Sequence, residues 1–481
     1  MSAPFQPYEP DQALLFPPNL RDWLPSEHLA YFVLDVVRSL DLKDIYAYYD
    51  FEDVKDAEGR VVGRRAKTSR GRPAYDPRMM TALLVYAYVT GTPSSRQIER
   101  RCQEDVAFRV LSANQKPDHD TIAEFRRIHL EALAGLFLQV LKLCEKAGLV
   151  KLGHVALDGT KVKANASKHK AMSYERMMET EKRLEEEVAK LLAKAQTVDA
   201  AEDEQYGKDR RGDELPAELA RRESRLAKIR EAKAALEQEA KERAARDAEA
   251  ARAKIEERRR KEEETGKKIG GRPPEVPDPE KAVPEPKAQR NFTDPESRIM
   301  KDGATKGFEQ AYNAQAVVDG EAQVIVAAAV TQETNDKRQL VPMLEKVEEN
   351  VGRIPEKASA DAGYFSEANV TDPKLQGIDL HVPPDRQKHG QAAEEVNGPA
   401  PQDAAVIDRM RHKLKTAEGR AVYKTRKQIV EPVFGQIKEA RRFRRFSFRG
   451  LKKVAAEWNL ICLTHNLLKL FRSKTLAVAL A

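Results

Sequence analysis

Two short runs of β-type residues in this chain end on an aspartate. "HVALD" closes on Asp158 and is followed by Gly159; "ASAD" closes on Asp361 and is followed by Ala-Gly. Side chains at strand C-termini of an α/β sheet point into the crevice where ligands bind. Two carboxylates on neighbouring strands repel unless a cation lies between them, and oxygen-only donors favour a hard ion, Mg²⁺ or Mn²⁺. Two such ions activate a water or hydroxyl on one side of a phosphate and stabilise the leaving oxygen on the other. A third carboxylate from a helix would complete the site. Glu431 is the candidate, in "YKTRKQIVEPVFGQIK" (423–438), a stretch otherwise dominated by bases and apolar residues. Its neighbours Tyr423, Arg426, Lys427 and Lys438 would hold phosphate oxygens beside the metals. Plainer readings stand alongside. Asp-Gly after a strand is often only a turn. Glu431, just before Pro432, fits a first-turn acid favoured by the helix dipole, or a surface partner for a neighbouring base. Asp319 fits a hairpin turn and Asp336 an N-cap before "KRQLVPML", so neither enters the site.

The charge distribution points the same way. The 481 residues carry a net +7, yet from Ala405 to Lys453 sixteen Lys/Arg stand against four Asp/Glu, so the rest of the chain is net acidic. One basic segment of that kind suggests an anionic polymer as partner. In "RRFRRFSFRG" the arginines Arg441, Arg442, Arg444 and Arg445 are expected to face phosphate, with the interleaved phenylalanines as core anchors. "RGRP" (70–73) matches the core of an AT-hook, but leads straight into an apolar helix. Three scattered cysteines and unclustered histidines argue against a disulfide framework or a zinc site. Without an apolar run long enough for a bilayer or a recognisable leader, the expectation is a soluble protein of the cytoplasm.

These residues need elements to position them. Residues 1–150 read as an all-helical, DNA-binding domain. Its helices are "DPRMMTALLVYAYVTG", a continuous "TPSSRQIERRCQEDVAFRVL", and a long "DTIAEFRRIHLEALAGLFLQVLKLCEKAG" opening on a Thr121–Glu124 capping box. Residues 151–172 hold the first strand. In 173–265, 49 of 93 residues are charged, 23 basic and 26 acidic. Sparse apolar residues at helical spacing make this a hairpin of two long helices, or a coiled-coil contact with another chain. A Pro-rich linker fills 266–290. From 291 to 481 the pattern is α/β, with two strands around Asp319-Gly320, further strands at "EKASAD" and "IDLHV", and basic C-terminal helices.

The residues carry a resemblance. "YKTRKQIVEPVFGQIK" resembles the Y-R-E-K signature of bacterial insertion-sequence DDE transposases, with Glu431 the glutamate and Lys438 seven positions on. Arg426 and Lys427 compete for the arginine place, because the gap from Arg426 is one residue long. "LDGTKVKANAS" and "ADAGYFS" resemble the two aspartate blocks. "GRPAYDPRMM", "SRIMKDGATKGFEQAYNAQAVVD" and "RRFRRFSFRGLKKVAAEWNLICLTHNLLKL" are similar to the branch of insertion-sequence groups five and eleven-eighty-two. The resemblance spans nearly everything except the charged insert and the linker. It implies a ribonuclease-H-like catalytic domain, a five-stranded mixed sheet with helices. Asp158 would lie on its first strand, Asp361 just after the fourth and Glu431 on a later helix, holding two Mg²⁺ or Mn²⁺ ions. Either that helix starts at Pro432, or a longer one from about Gly419 kinks there. The implied activity is DNA strand cleavage at the element's ends and strand transfer into target DNA. The implied partners are double-stranded terminal repeats, target DNA and a second copy of the chain, at the bacterial nucleoid. A DNA-binding protein that has lost catalysis, and a coiled-coil scaffold built around 173–265, are the competing readings.

Overall fold

The computed structural model describes residues 19–49, 51–55, 61–66, 74–206, 217–266, 268–301, 307–385, 395–401 and 403–480. The AT-hook match at 70–73 lies outside them.

The centre is a mixed sheet. Strand β1 (His154–Lys163) runs antiparallel to β2 (Phe308–Asp319), which runs antiparallel to β3 (Ile325–Thr331). On its other edge β1 pairs in parallel with β4 (Lys357–Ser359), and β4 in parallel with β5 (Asp379–His381). The order is therefore β3-β2-β1-β4-β5, with β2 alone running opposite. A short sixth strand, Arg298–Lys301, continues β3's edge along the first residues of β2. Strand β2 has neighbours on both edges and is buried along nearly its whole length, as its run of Ala and Val demands. The Asp319-Gly320 hairpin forms, but not as a two-residue turn. Asp319 N bonds to Val324 O, and the Asp319 carboxylate instead accepts from Lys151 N, Leu152 N and Glu321 N.

Helices α1 (Leu29–Ser39), α2 (Pro77–Val89), α3 (Ser95–Glu104), α4 (Val106–Leu111), α5 (His119–Ile128) and α6 (Leu130–Lys146) build most of the N-terminal part, which is not all helical: Phe51–Lys55 pairs antiparallel with Val61–Ala66. Two expected long helices are broken, the first at Asp105 between α3 and α4 and the second at His129 between α5 and α6. Asp105 caps α4, taking Ala107 N and Phe108 N. The cap of α5 is Asp118, which takes Thr121 N at 2.7 Å, so Thr121 opens no capping box.

These helices share one apolar core with the sheet. The link is α12 (Leu451–Ser473), apolar nearly all round and packed on α6, α2 and β3. Its buried polar side chains are all engaged: Trp458 Nε1 donates to Gln315 O, and Asn466 pairs with both N and O of Ile325. Gly91, just past α2 at φ 71°, lies flat against Arg441, where a Cβ would stand 2.6 Å from the Arg441 carbonyl oxygen.

The charged insert leaves after β1 and returns before β2. Helices α7 (Tyr174–Tyr206) and α8 (Ala217–Thr265) fold back on each other, with Met177 and Leu184 against Leu226, Ile229 and Leu236. A two-stranded ribbon, Ala171–Ser173 with Gln289–Asn291, closes its base. Glu239 of α8 takes both Arg290 and Arg298. Helix α9 is Leu340–Val351, and α10 (Val406–Lys415) leads into α11 (Ala417–Gly435), which runs through Pro432 and continues as a wider turn at Gln436–Ala440. No helix among the described residues is long and apolar enough to cross a membrane.

Candidate active site

The register of β1 and β4 brings two acids together. Ala156 pairs with Ser359 in parallel, and two residues further on each strand come Asp158 and Asp361. Continued past the end of β4, that register puts them on the same face, and the charge of Asp361 is felt at Asp158. Asp361 lies just beyond β4 and caps the turn Ala362–Tyr364, accepting from Gly363 N at 2.8 Å. Asp158 accepts from Gly159 N at 2.8 Å and from Arg426 Nη1 at 3.2 Å. Burial pushes the Asp158 carboxyl up to about 6; Arg426 opposes the shift and the charge of Asp361 adds to it.

Arg426 reaches this pair from α11 and is only 6% exposed. The ring of Tyr423, one turn earlier, lies under its guanidinium at 5.9 Å. Glu431 sits five residues on from Arg426, about 140° around the helix, and its side chain is exposed. Thus α11 brings Arg426 to Asp158 with Tyr423 beside it, while Glu431 and Lys427 are exposed. Among the described residues no three His, Cys, Asp or Glu are gathered as a ligand set. The two aspartates by themselves fit a hard dication, whose charge offsets the burial of Asp158 and its repulsion with Asp361.

The other expected DNA-facing residues separate into two groups. Arg441 is 4% exposed, and its guanidinium is taken up by Ile461 O, Thr464 Oγ1 and Gln436 Oε1, which makes it a core residue. Arg442, Arg444 and Arg445 are exposed. Their segment runs beside the end of β1, with Lys163 N donating to Arg444 O and Phe446 N to Lys163 O. That places it roughly 16 Å along the strand from Asp158. Phe443 and Phe446 are buried, the former stacked on Tyr88 of α2. Lys438 is half-buried on the wide turn.

Sequence reasoning passes over two groups, Asp336 and Lys161. Asp336 caps no helix, since α9 begins at Leu340 after Gln339. Its Oδ1 instead takes the amides of Asn313 (2.6 Å) and Gln315 (2.7 Å), and Lys161 Nζ lies 3.8 Å away. The signal was in "YNAQAVV": two amides on one face of a buried strand require polar partners.

Against known proteins, residues 18–127 match the family described as Transposase domain (DUF772), and residues 399–471 match Transposase DDE domain. No curated protein and no solved structure matches the chain. The two matched segments, helices α1–α5 on one side of the sheet in sequence and helices α10–α12 on the other, indicate a transposase.

Proposed function

We propose that this chain is a DDE transposase that binds the ends of its insertion sequence, cuts DNA strands there and transfers them into target DNA. The observation that carries the reading is Asp158 on β1 near Asp361, which follows the end of the parallel strand β4, with Arg426 delivered to Asp158 by the helix of the DDE segment. The strand order β3-β2-β1-β4-β5, with the second strand reversed, supports a ribonuclease-H-like catalytic domain.

In this reading Asp158 and Asp361 hold Mg²⁺ or Mn²⁺, with Glu431 as the third acid on α11. Such an ion, when bound, supplies charge to activate the attacking oxygen and to stabilise the leaving one. Arg426 exchanges its contact with Asp158 for a phosphate oxygen, with Tyr423 fixing the plane of its guanidinium. Arg442, Arg444 and Arg445, with Lys427 and Lys438, carry the flanking duplex through its phosphates. Two element ends must be joined, so a homodimer is the working unit. Water would free a 3′-hydroxyl, which would then attack the target phosphodiester directly.

One observation favours a second reading, a DNA-binding protein without catalysis. Glu431 is exposed while Arg426 occupies Asp158. The separating experiment uses the DNA flanking the gene, with binding by mobility shift and nicking with Mn²⁺ followed on the same fragments. Nicks at fixed end positions support the transposase; retained binding without nicks supports the alternative.

A further inference from the structure

Strand β1 carries a second ionic group beyond the first acid. Lys161 lies three residues beyond Asp158, its side chain 19% exposed. Burial lowers its pKa from the ordinary lysine value, and the charges of Asp336, Asp158 and Asp361 oppose that shift. Its ion-pair partner among the described residues is Asp336, at 3.8 Å, well beyond the ~2.8 Å of a charge-assisted hydrogen bond. Asp336 is held independently of Lys161 by the fully buried amides of Asn313 and Gln315.

Two glycines make room for this arrangement. A Cβ on Gly159 would stand 2.7 Å from Asp336 Oδ1 and 2.4 Å from Gln315 Nε2. A Cβ on Gly363 would stand 3.8 Å from Asp336 Oδ2 and 2.9 Å from Asp361 Oδ1. Asp336 thus adjoins the loop of Asp361 on one side and the backbone after Asp158 on the other. The ammonium it faces has three donor hydrogens, and among the described residues its nearest acidic oxygen is the one at 3.8 Å.

We propose that Lys161, positioned by Asp336, binds a nonbridging oxygen of the phosphate to be cut. This rests on the transposase reading of Asp158 and Asp361. Lys161 is a catalytic residue that meets the charge developing on the phosphoryl oxygens, and Asp336 is a positioning residue that acts through it. A merely structural lysine would neutralise the aspartates and affect folding alone.

The test uses full-length protein, Mn²⁺ and duplexes of the gene-flanking DNA, with either a normal phosphate or a neutral methylphosphonate at the cleavage position. Lys161→Ala is expected to cut the normal duplex about 100-fold more slowly, with KM within about three-fold of wild type and unchanged thermal unfolding. Lys161→Arg is expected to recover at least about ten-fold of the loss, and Asp336→Asn to fall between wild type and Lys161→Ala. On the methylphosphonate, wild type and Lys161→Ala are expected to cut equally slowly, because the oxygen charge they differ in recognising is gone. The role of Lys161 is overturned, with the transposase reading intact, if Lys161→Ala cuts the normal duplex at the wild-type rate. It is overturned equally if Lys161→Ala is slowed by one factor on both duplexes. If Lys161→Ala does not fold, wild-type rates in Asp336→Asn, or no recovery in Lys161→Arg, overturn it. A wild type that binds the ends and cuts neither duplex overturns the transposase reading and this role with it.

Discussion

Arg426 Nη1 donates to Asp158 Oδ2 across 3.2 Å, tying helix α11 to the strand that carries the first acid. Both groups are largely removed from water, so each depends on the other for compensation. Arg426→Ala is expected to cost about 3 kcal/mol in denaturant unfolding at pH 7, the amount lost when one partner of a buried pair is removed. The double variant Arg426→Ala/Asp158→Asn is expected to cost clearly less than the sum of the single changes. Simple additivity would show that the contact carries no energy.

The same carboxyl makes stability depend on pH. Its folded pKa of about 6 lies above the ordinary 3.8, so the folded state holds the proton more tightly than the unfolded chain. The resulting contribution is fully present below pH 3.8 and is lost as pH rises through about 6; the shift corresponds to roughly 3 kcal/mol. Thermal unfolding of wild type and Asp158→Asn, compared between about pH 4 and 7, is expected to show wild type losing ground across this window. At neutral pH Mn²⁺ is expected to raise the unfolding temperature of wild type more than that of Asp158→Asn or Asp361→Asn. A Tm difference between wild type and Asp158→Asn that does not change with pH would refute the shift.

Gly91 marks where the N-terminal helices meet the C-terminal segment. Its φ of 71° disfavours any side chain, and a Cβ would press within 2.6 Å of the Arg441 carbonyl oxygen and 2.9 Å of its Cα. Gly91→Ala is expected to destabilise by about 2 kcal/mol or more, read as an earlier denaturation midpoint. Wild-type stability in this variant would mean that the two segments do not pack as described.

The arginines of "RRFRRFSFRG" should divide by function. Arg441→Ala is expected to cost about 3 kcal/mol of stability, since it empties a buried network of carbonyl and hydroxyl acceptors. Arg444→Ala and Arg445→Ala are expected to leave unfolding within about 0.5 kcal/mol of wild type. Each is expected to weaken DNA binding and to lower the slope of log affinity against log salt by about one. Salt-titrated mobility shifts beside melting curves check both halves.

Much of this architecture is legible in the amino-acid order. Asp158 and Asp361 stand out because a β-type run ending on a carboxylate is a local pattern, and a parallel pairing sets such ends side by side. The hairpin insert is legible from its charge and sparse apolar spacing. The burial of Arg441 is not, because only tertiary packing separates it from Arg442 beside it. Asp336 reads in sequence as a plain cap; its partners Asn313 and Gln315 lie more than twenty residues away. Nor does composition show that the N-terminal helices share a core with the sheet, since that depends on how α12 is buried between them. The helix break at Asp105 and the helix start at Asp118 lie between the two cases: both are capping residues, and competing apolar periodicity hides them.

The most direct measurement is Mn²⁺-dependent cleavage of a plasmid carrying the gene-flanking DNA, by wild type, Asp158→Asn, Asp361→Asn and Glu431→Gln, with end binding followed in parallel. Wild type is expected to nick at fixed end positions, and all three variants to lose at least about 100-fold in cutting with binding retained. Undiminished cutting by Asp158→Asn or Asp361→Asn would contradict the site; undiminished cutting by Glu431→Gln alone would remove Glu431 from it.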